Sequence, residues 1–235
     1  MVHIGIIPDG NRRWCRKNDY PLFEMTDKWM LIVNKKIDEI LPLILNETKR
    51  QKYNDLKDIN EVSLYVASID NMKRNDGTIE TIYQFIRRLE YKYIEIMDKL
   101  EKSKKNKILE YIDKISINIV GDFDLLPNDI KDICAKLSAK RSQNPIYIIN
   151  VALAYDYEKD ILNFSNNTNE NYNRKQSKID LIIRTGSEKR LSGFFPIQSI
   201  YAELFFLTKL WPEFDINDLK QILKTFRKRN RRFGM

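Results

Sequence analysis

At 235 residues and 43% hydrophobic content, the chain carries enough apolar material for one large domain with a proper core, which excludes wholesale disorder. Its net charge of +8 favours anionic partners, whether nucleic acid, an anionic membrane surface or phosphorylated small molecules. One histidine, His3, and two distant cysteines, Cys15 and Cys134, exclude histidine-rich metal sites and weaken any hydrolase reading that needs an imidazole base.

Taken in chain order, six apolar runs predict strands: "VHIGIIP" from Val2, "EVSLYVAS" from Glu61, "ISINIVG" from Ile115, "PIYIINVAL" from Pro145, "IDLIIRT" from Ile179 and "AELFFL" from Ala202. Most are continuous rather than alternating, as expected of strands covered on both faces. Between the second and third, Ile82, Phe85, Ile86, Leu89, Tyr93, Ile96, Met97 and Leu100 recur at three and four, which predicts an amphipathic helix. "NFSNNTNENYNRKQSK", residues 163–178, is nearly free of apolar side chains and reads as a surface loop inside one domain spanning 1–235. Strand and helix alternate throughout, so the expected fold is α/β, a mostly parallel six-stranded sheet flanked by helices. With no C-x-x-C pair, no signal peptide and no apolar run near the ~20 residues of a membrane helix, a cytoplasmic protein without a transmembrane segment is expected.

In open α/β sheets, ligands bind beyond the carboxyl ends of the strands. The first strand is followed by Asp9, Gly10, Asn11, Arg12 and Arg13, the second by Ser68, Asp70, Asn71 and Arg74. The fifth is followed by Arg184, Thr185, Gly186 and Ser187, with Arg190 and Ser192 close behind. Forked guanidinium donors, short hydroxyls and glycines suit a diphosphate pocket. A carboxylate among them makes sense if Mg2+ sits between it and the phosphates. Asp9-Gly10 has a duller reading as a strand-to-helix turn, and Arg184 and Arg190 as surface ion pairs. Glu203 lies between apolar residues, where an unpartnered acid is costly, so a metal or an arginine should face it. His3 reads as a strand-edge residue with no catalytic role.

"HIGIIPDGNRRW" resembles the first signature of the cis-prenyltransferases, the undecaprenyl diphosphate synthase family. "DLIIRTGSEKRLSGFFPIQSIYAELFF" resembles its C-terminal signature, "LWPEFD" and "RNRRFG" its ending, and "SIDNMKR" a weaker form of the middle one. The resemblance implies a homodimer, Mg2+ as cofactor, isoprenoid diphosphate substrates, and a hydrophobic tunnel between helices and sheet. It implies Asp9 as the catalytic, Mg2+-linked aspartate and Glu203 as a second metal residue. Gly10, Asn11 and Arg13 would cradle the allylic diphosphate, while Arg184, Arg190 and Ser192 would hold the second one. Arg12, Arg74 and Trp14 join the substrate-binding set, with packing as the first role of Trp14. Ser68 and Asn71 would position the reacting groups, and a substrate diphosphate oxygen would take the proton. The "RNRRFG" tail would reach into the neighbouring subunit's site.

Departures from the family pattern point to a branch. Where long-chain members carry an arginine and a histidine after the first motif, this chain has Leu22 and Thr26. "NYGGR" appears as "AYDYE", Ala154 to Glu158. "MTDK" at Met25 to Lys28 and the proline Pro196 look closer to the lavandulyl and cyclolavandulyl diphosphate synthases. These join two dimethylallyl diphosphates in an irregular, branched way. Val66 and Tyr147 are expected to shorten the tunnel. The expected function is therefore irregular coupling of dimethylallyl diphosphate, with regular elongation by isopentenyl diphosphate as the alternative. A non-catalytic subunit is disfavoured, because Asp9 and the Arg184 cluster are both present. Nucleic-acid or lipid binding by the basic "KTFRKRNRRFGM" is disfavoured because no recognition motif accompanies it.

Overall fold

The computed structural model describes residues 1–31, 56, 58–102, 114–139, 144–166 and 177–230. Strands β1 (Val2–Ile7), β2 (Ile59–Tyr65), β3 (Ile115–Val120), β4 (Tyr147–Ala152), β5 (Leu181–Arg184) and β6 (Glu203–Phe206) form one sheet in the order β3-β4-β2-β1-β5-β6. Every neighbouring pair is parallel. The six apolar runs thus become the six strands, within a few residues at each end.

Helices α1 (Asn11–Lys17), α2 (Ile69–Met72), α3 (Thr78–Lys102), α4 (Asn128–Ala139), α5 (Tyr157–Asn166) and α6 (Ile216–Phe226) connect or cover them. The predicted amphipathic helix lies inside α3, whose Ile82 and Tyr83 are buried with Ile130, Ile133 and Cys134 of α4 over Ile119 of β3. On the same face of the sheet, α6 buries Ile222, Leu223 and Phe226 against Ile4, Leu181, Ile183 and Phe205. The opposite face is covered by Phe194 and Phe195, packed with Ile7, Val120, Ala152 and Ile182. Close approach there requires a glycine, because a Cβ on Gly5 would stand 2.7 Å from the Phe194 ring.

Two expectations change. The first four residues of the predicted 163–178 loop belong to α5, which is started by Asp156 accepting from the Glu158 and Lys159 amides and continues through Asn166. Residues 167–176 lie outside the described residues. His3 is not at a sheet edge, since β1 runs between β2 and β5, and the residue is only 3% exposed.

His3 belongs instead to a buried polar seam across one face of the sheet. Its Nε2 is 2.8 Å from Ser63 Oγ, and Asn150 donates to both Ser63 (3.0 Å) and Glu61 (2.7 Å). Ser177 donates to the other Glu61 oxygen at 2.5 Å. Burial pushes the His3 pKa down, against the opposing pull of Glu61 and the Ser177 carbonyl, and the net shift from 6.5 is downward. The unfolded chain therefore takes up this proton more readily than the folded one. Stability from this group is complete above its ordinary pKa and is lost as pH falls through it. Melting temperature should drop between about pH 7 and pH 5 in the parent, with a smaller drop in His3→Gln. Parallel pH profiles for the two proteins would show that His3 is not the linked group.

Candidate active site

The chain leaves β1 for β2 on one side of the sheet and returns as β5 on the other. The switch point therefore lies between β1 and β5, where open parallel sheets form their ligand crevice. Asp9 and Arg184 stand at that point. Gly10 turns the chain from β1 into α1 with φ of 106°, and a Cβ there would meet Leu210 at 2.8 Å. The Asp9 carbonyl is fixed by Thr185 Oγ1 at 2.7 Å and the Trp211 amide at 3.0 Å.

With its backbone held, Asp9 presents its carboxylate to two guanidinium groups. Arg184 Nη2 donates to one oxygen at 2.9 Å, and Arg13 Nη2 lies 3.2 Å from the other. Gly186 makes room for the second contact, since a Cβ on it would sit 2.6 Å from that Arg13 nitrogen. Burial pushes the Asp9 pKa up. The hydrogen bond and charge of Arg184, then the charge of Arg13 and the Gly10 amide, outweigh it and hold the carboxyl below 3.8. Asp9 is ionised at neutral pH.

Arg184 is the hub. It is 5% exposed, and besides Asp9 it donates to Ser192 Oγ at 2.9 Å and the Arg190 carbonyl at 2.5 Å. Its Nε is buried with no partner among the described residues. Arg190 and Ser192, both exposed, offer the accessible donors of this loop, and Arg190 pairs with Glu188 at 2.5 Å. Asp9 is therefore the counter-ion of a buried arginine.

One cavity of about 1070 Å³ brings most of the sequence-derived residues together. Asp9, Gly10, Asn11, Arg12, Arg13, Ser68, Asn71, Arg74, Arg184, Arg190 and Ser192 all line it. Asn11 donates to the Pro8 carbonyl at 3.0 Å and accepts from Trp29 Nε1 at 3.2 Å. Arg12 reaches Asp76, just before α3, at 2.6 Å. Ser68 caps α2 in a reciprocal box, with its hydroxyl accepting from the Asn71 amide and the Asn71 side chain accepting from the Ser68 backbone. The box holds both side chains in place at the cavity wall.

Trp14 and Glu203 are not brought there. Trp14 packs edge-on against Tyr20 with Lys28 5.0 Å above its ring. Glu203 opens β6, paired with Leu181, whereas Arg184 pairs with Phe206 at the other end of the ladder. That separation is roughly 10 Å along the strand. Of the two partners expected for Glu203, an arginine faces it: Arg229 bonds its carboxylate and lies over Phe205. Within one chain, Glu203 therefore does not share an ion with Asp9. Residues 231–235, most of the tail signature, lie outside the described residues.

No group of three or more His, Cys, Asp or Glu side chains placed to hold a metal occurs among the described residues. A lone carboxylate still fits Mg2+, which keeps several waters and is commonly held by one or two carboxylates plus substrate phosphates. Each Asp9 oxygen retains a lone pair after its arginine contact.

"MTDK" has packing roles. Met25 is fully buried and accepts from Cys15 Sγ at 3.5 Å, Thr26 donates to the Thr81 carbonyl of α3 at 3.3 Å, and Asp27 pairs with Arg88. Leu22 and Val66 do line the cavity, whereas Tyr147 is not part of its wall. Lining residues that the sequence did not reveal include Arg16, Tyr65, Tyr157 and Glu188. Tyr65 was within reach, as the last residue of β2. Its hydroxyl donates to the Ser192 carbonyl at 3.0 Å, and burial pushes its pKa up to about 12, so it stays protonated.

The undecaprenyl diphosphate synthase family of prenyltransferases matches residues 47–234. A tritrans,polycis-undecaprenyl-diphosphate synthase (geranylgeranyl-diphosphate specific) from Pyrococcus abyssi is 30% identical over 254 residues, spanning 99% of this chain and 86% of its own. An isoprenyl transferase from Treponema denticola is 30% identical over 249 residues, with 100% and 97% of the two chains covered. Lavandulyl diphosphate synthase from Lavandula x intermedia, solved in complex with dimethylallyl diphosphate, superposes with a TM-score of 0.68 at 20% identity. The match covers 99% of this chain and 98% of that one, and at such identity the likeness is one of fold.

Proposed function

Because this chain belongs to the undecaprenyl diphosphate synthase family and is a prenyltransferase of that superfamily, we propose that it lengthens an allylic isoprenoid diphosphate by condensation with isopentenyl diphosphate. One observation carries the reading. One cavity of about 1070 Å³ is lined both by the charged Asp9 and Arg13 and by the apolar Leu64, Val66, Ile82 and Phe85. Its size lies at the top of the ~300–1,000 Å³ common for ligand pockets, which leaves room for a hydrocarbon longer than five carbons.

The residues divide the work. Arg13, Asn11 and the backbone after Gly10 receive the allylic diphosphate, and Asp9 would hold Mg2+ against its oxygens. The ion supplies charge neutralisation as the carbon–oxygen bond breaks. Arg190 and Ser192 bind the second diphosphate, steadied by Arg184. The acceptor alkene attacks the allylic carbon, and a proton then leaves. Tyr65 keeps its own proton, so a diphosphate oxygen is the base, with Ser68 and Asn71 bounding that end of the site. Assembly as a homodimer belongs to the same proposal and is supported by Ile200, Tyr201 and Leu204, exposed on and beside edge strand β6.

Leu22 favours a second reading. It lines the cavity without offering a charge, so the grip on a long allylic substrate is reduced. On that reading, two dimethylallyl diphosphates couple irregularly to a branched ten-carbon product. Incubation with Mg2+ and dimethylallyl or geranylgeranyl diphosphate, with and without isopentenyl diphosphate, separates the two after dephosphorylation and gas chromatography. Elongated products that require isopentenyl diphosphate are expected. A branched product from dimethylallyl diphosphate alone would establish the second reading, and no product under any condition would sink both.

A further inference from the structure

The lining of the cavity draws on both faces of the sheet. Leu64 and Val66 line it on the side of the sheet that α3 covers, and Tyr65 points to the other side of β2. There Tyr157 and Ile161 of α5 stand with Gly193 and Pro196. We propose that Tyr157 is a specificity-determining residue for this reaction, its ring forming the wall against which the hydrocarbon of the second isoprenoid diphosphate packs. The inference rests on the condensation proposed above.

The contact that places the ring is close. Gly193 has φ of 79°, and a Cβ on it would stand 2.6 Å from Tyr157 Cδ1 and 3.1 Å from Cγ. The ring therefore lies directly on the backbone next to Ser192, the hydroxyl that Arg184 holds. Tyr65 bounds the same loop from the sheet side through its bond to the Ser192 carbonyl. A hydrocarbon attached to a diphosphate at Ser192 and Arg190 emerges between these two aromatic residues. The Tyr157 hydroxyl donates to Glu158 at 3.0 Å, on its own helix, which leaves the apolar ring as the part offered to the cavity.

Tyr157 is 44% exposed and belongs to none of the three core clusters, so its loss should not unfold the chain. A ring that touches hydrocarbon but not phosphate also makes a selective prediction. Calorimetric titration of the full chain with isopentenyl diphosphate and, separately, with inorganic pyrophosphate reads the two parts of the ligand. In Tyr157→Ala, isopentenyl diphosphate should bind about tenfold more weakly, while pyrophosphate binding changes by less than about twofold. Tyr157→Phe, which keeps the ring, should match the parent for both. Equal weakening of both ligands, or no change in either, would overturn the inference, as would a parent that binds isopentenyl diphosphate no tighter than pyrophosphate. Failure of the condensation itself would appear elsewhere, as normal binding without product.

Discussion

Asp9→Asn is expected to lower turnover by about a hundred- to a thousandfold, with a melting temperature below the parent's but above that of Asp9→Ala. The amide keeps the size of the carboxylate and can still accept the Arg184 N–H, but it removes the negative charge at the switch point. Asp9→Ala should also lose turnover, with a larger stability cost, because Arg184 is 5% exposed and would lose its hydrogen-bond acceptor together with its counter-ion. A fully buried pair would cost more, but the Asp9 side chain is 30% exposed, so about 1–3 kcal/mol is expected. Steady-state rates and thermal melts on both variants check this. An asparagine variant within tenfold of the parent would remove the carboxylate from the mechanism.

The second large effect belongs to Arg184. Its alanine variant should lose activity and about 3 kcal/mol of stability together, since one guanidinium holds Asp9, Ser192 and the Arg190 carbonyl. Lysine should rescue poorly, because a single ammonium cannot span those directions. Arg190→Ala should behave differently. That side chain is 64% exposed, so stability should stay within ~0.5 kcal/mol and the loss should fall on KM for the second substrate. Equal melting temperatures for Arg184→Ala and the parent would show that the hub does not organise the loop.

The strands were legible because a parallel sheet buries both faces, and that demand writes continuous apolar runs such as Leu181–Ile183 into the chain. The order of those strands was not. Nothing local to Val2–Ile7 says that it will sit in the middle of the sheet, which is why His3 looked like an edge residue. The charged half of the site was readable from residues following β1, β2 and β5. What escaped depends on contacts distant in sequence. Glu203 finds Arg229, Trp14 turns to Tyr20 and Lys28, and Tyr157 comes to the cavity only because Gly193 lets its ring approach. "MTDK" looked like a branch marker at the site, yet helix packing directs Met25 and Thr26 into the interior.

The central position of β1 also has a price in time. Its partner β5 lies at the far end of the chain, and the Asp9–Arg184 pair spans 175 positions. Ribosomal synthesis at ~5–20 residues per second puts roughly ten to thirty-five seconds between the emergence of the two residues. Throughout that interval the β5-facing edge of β1, with its isoleucines, has no strand to pair with, and closing so long a loop is entropically costly before any contact rewards it. The crevice between β1 and β5 is therefore among the last features to assemble on the nascent chain. An unpaired apolar strand held open for that long is a target for chaperones or for aggregation, so soluble yield should depend on what shields the N-terminal half until residue 184 arrives.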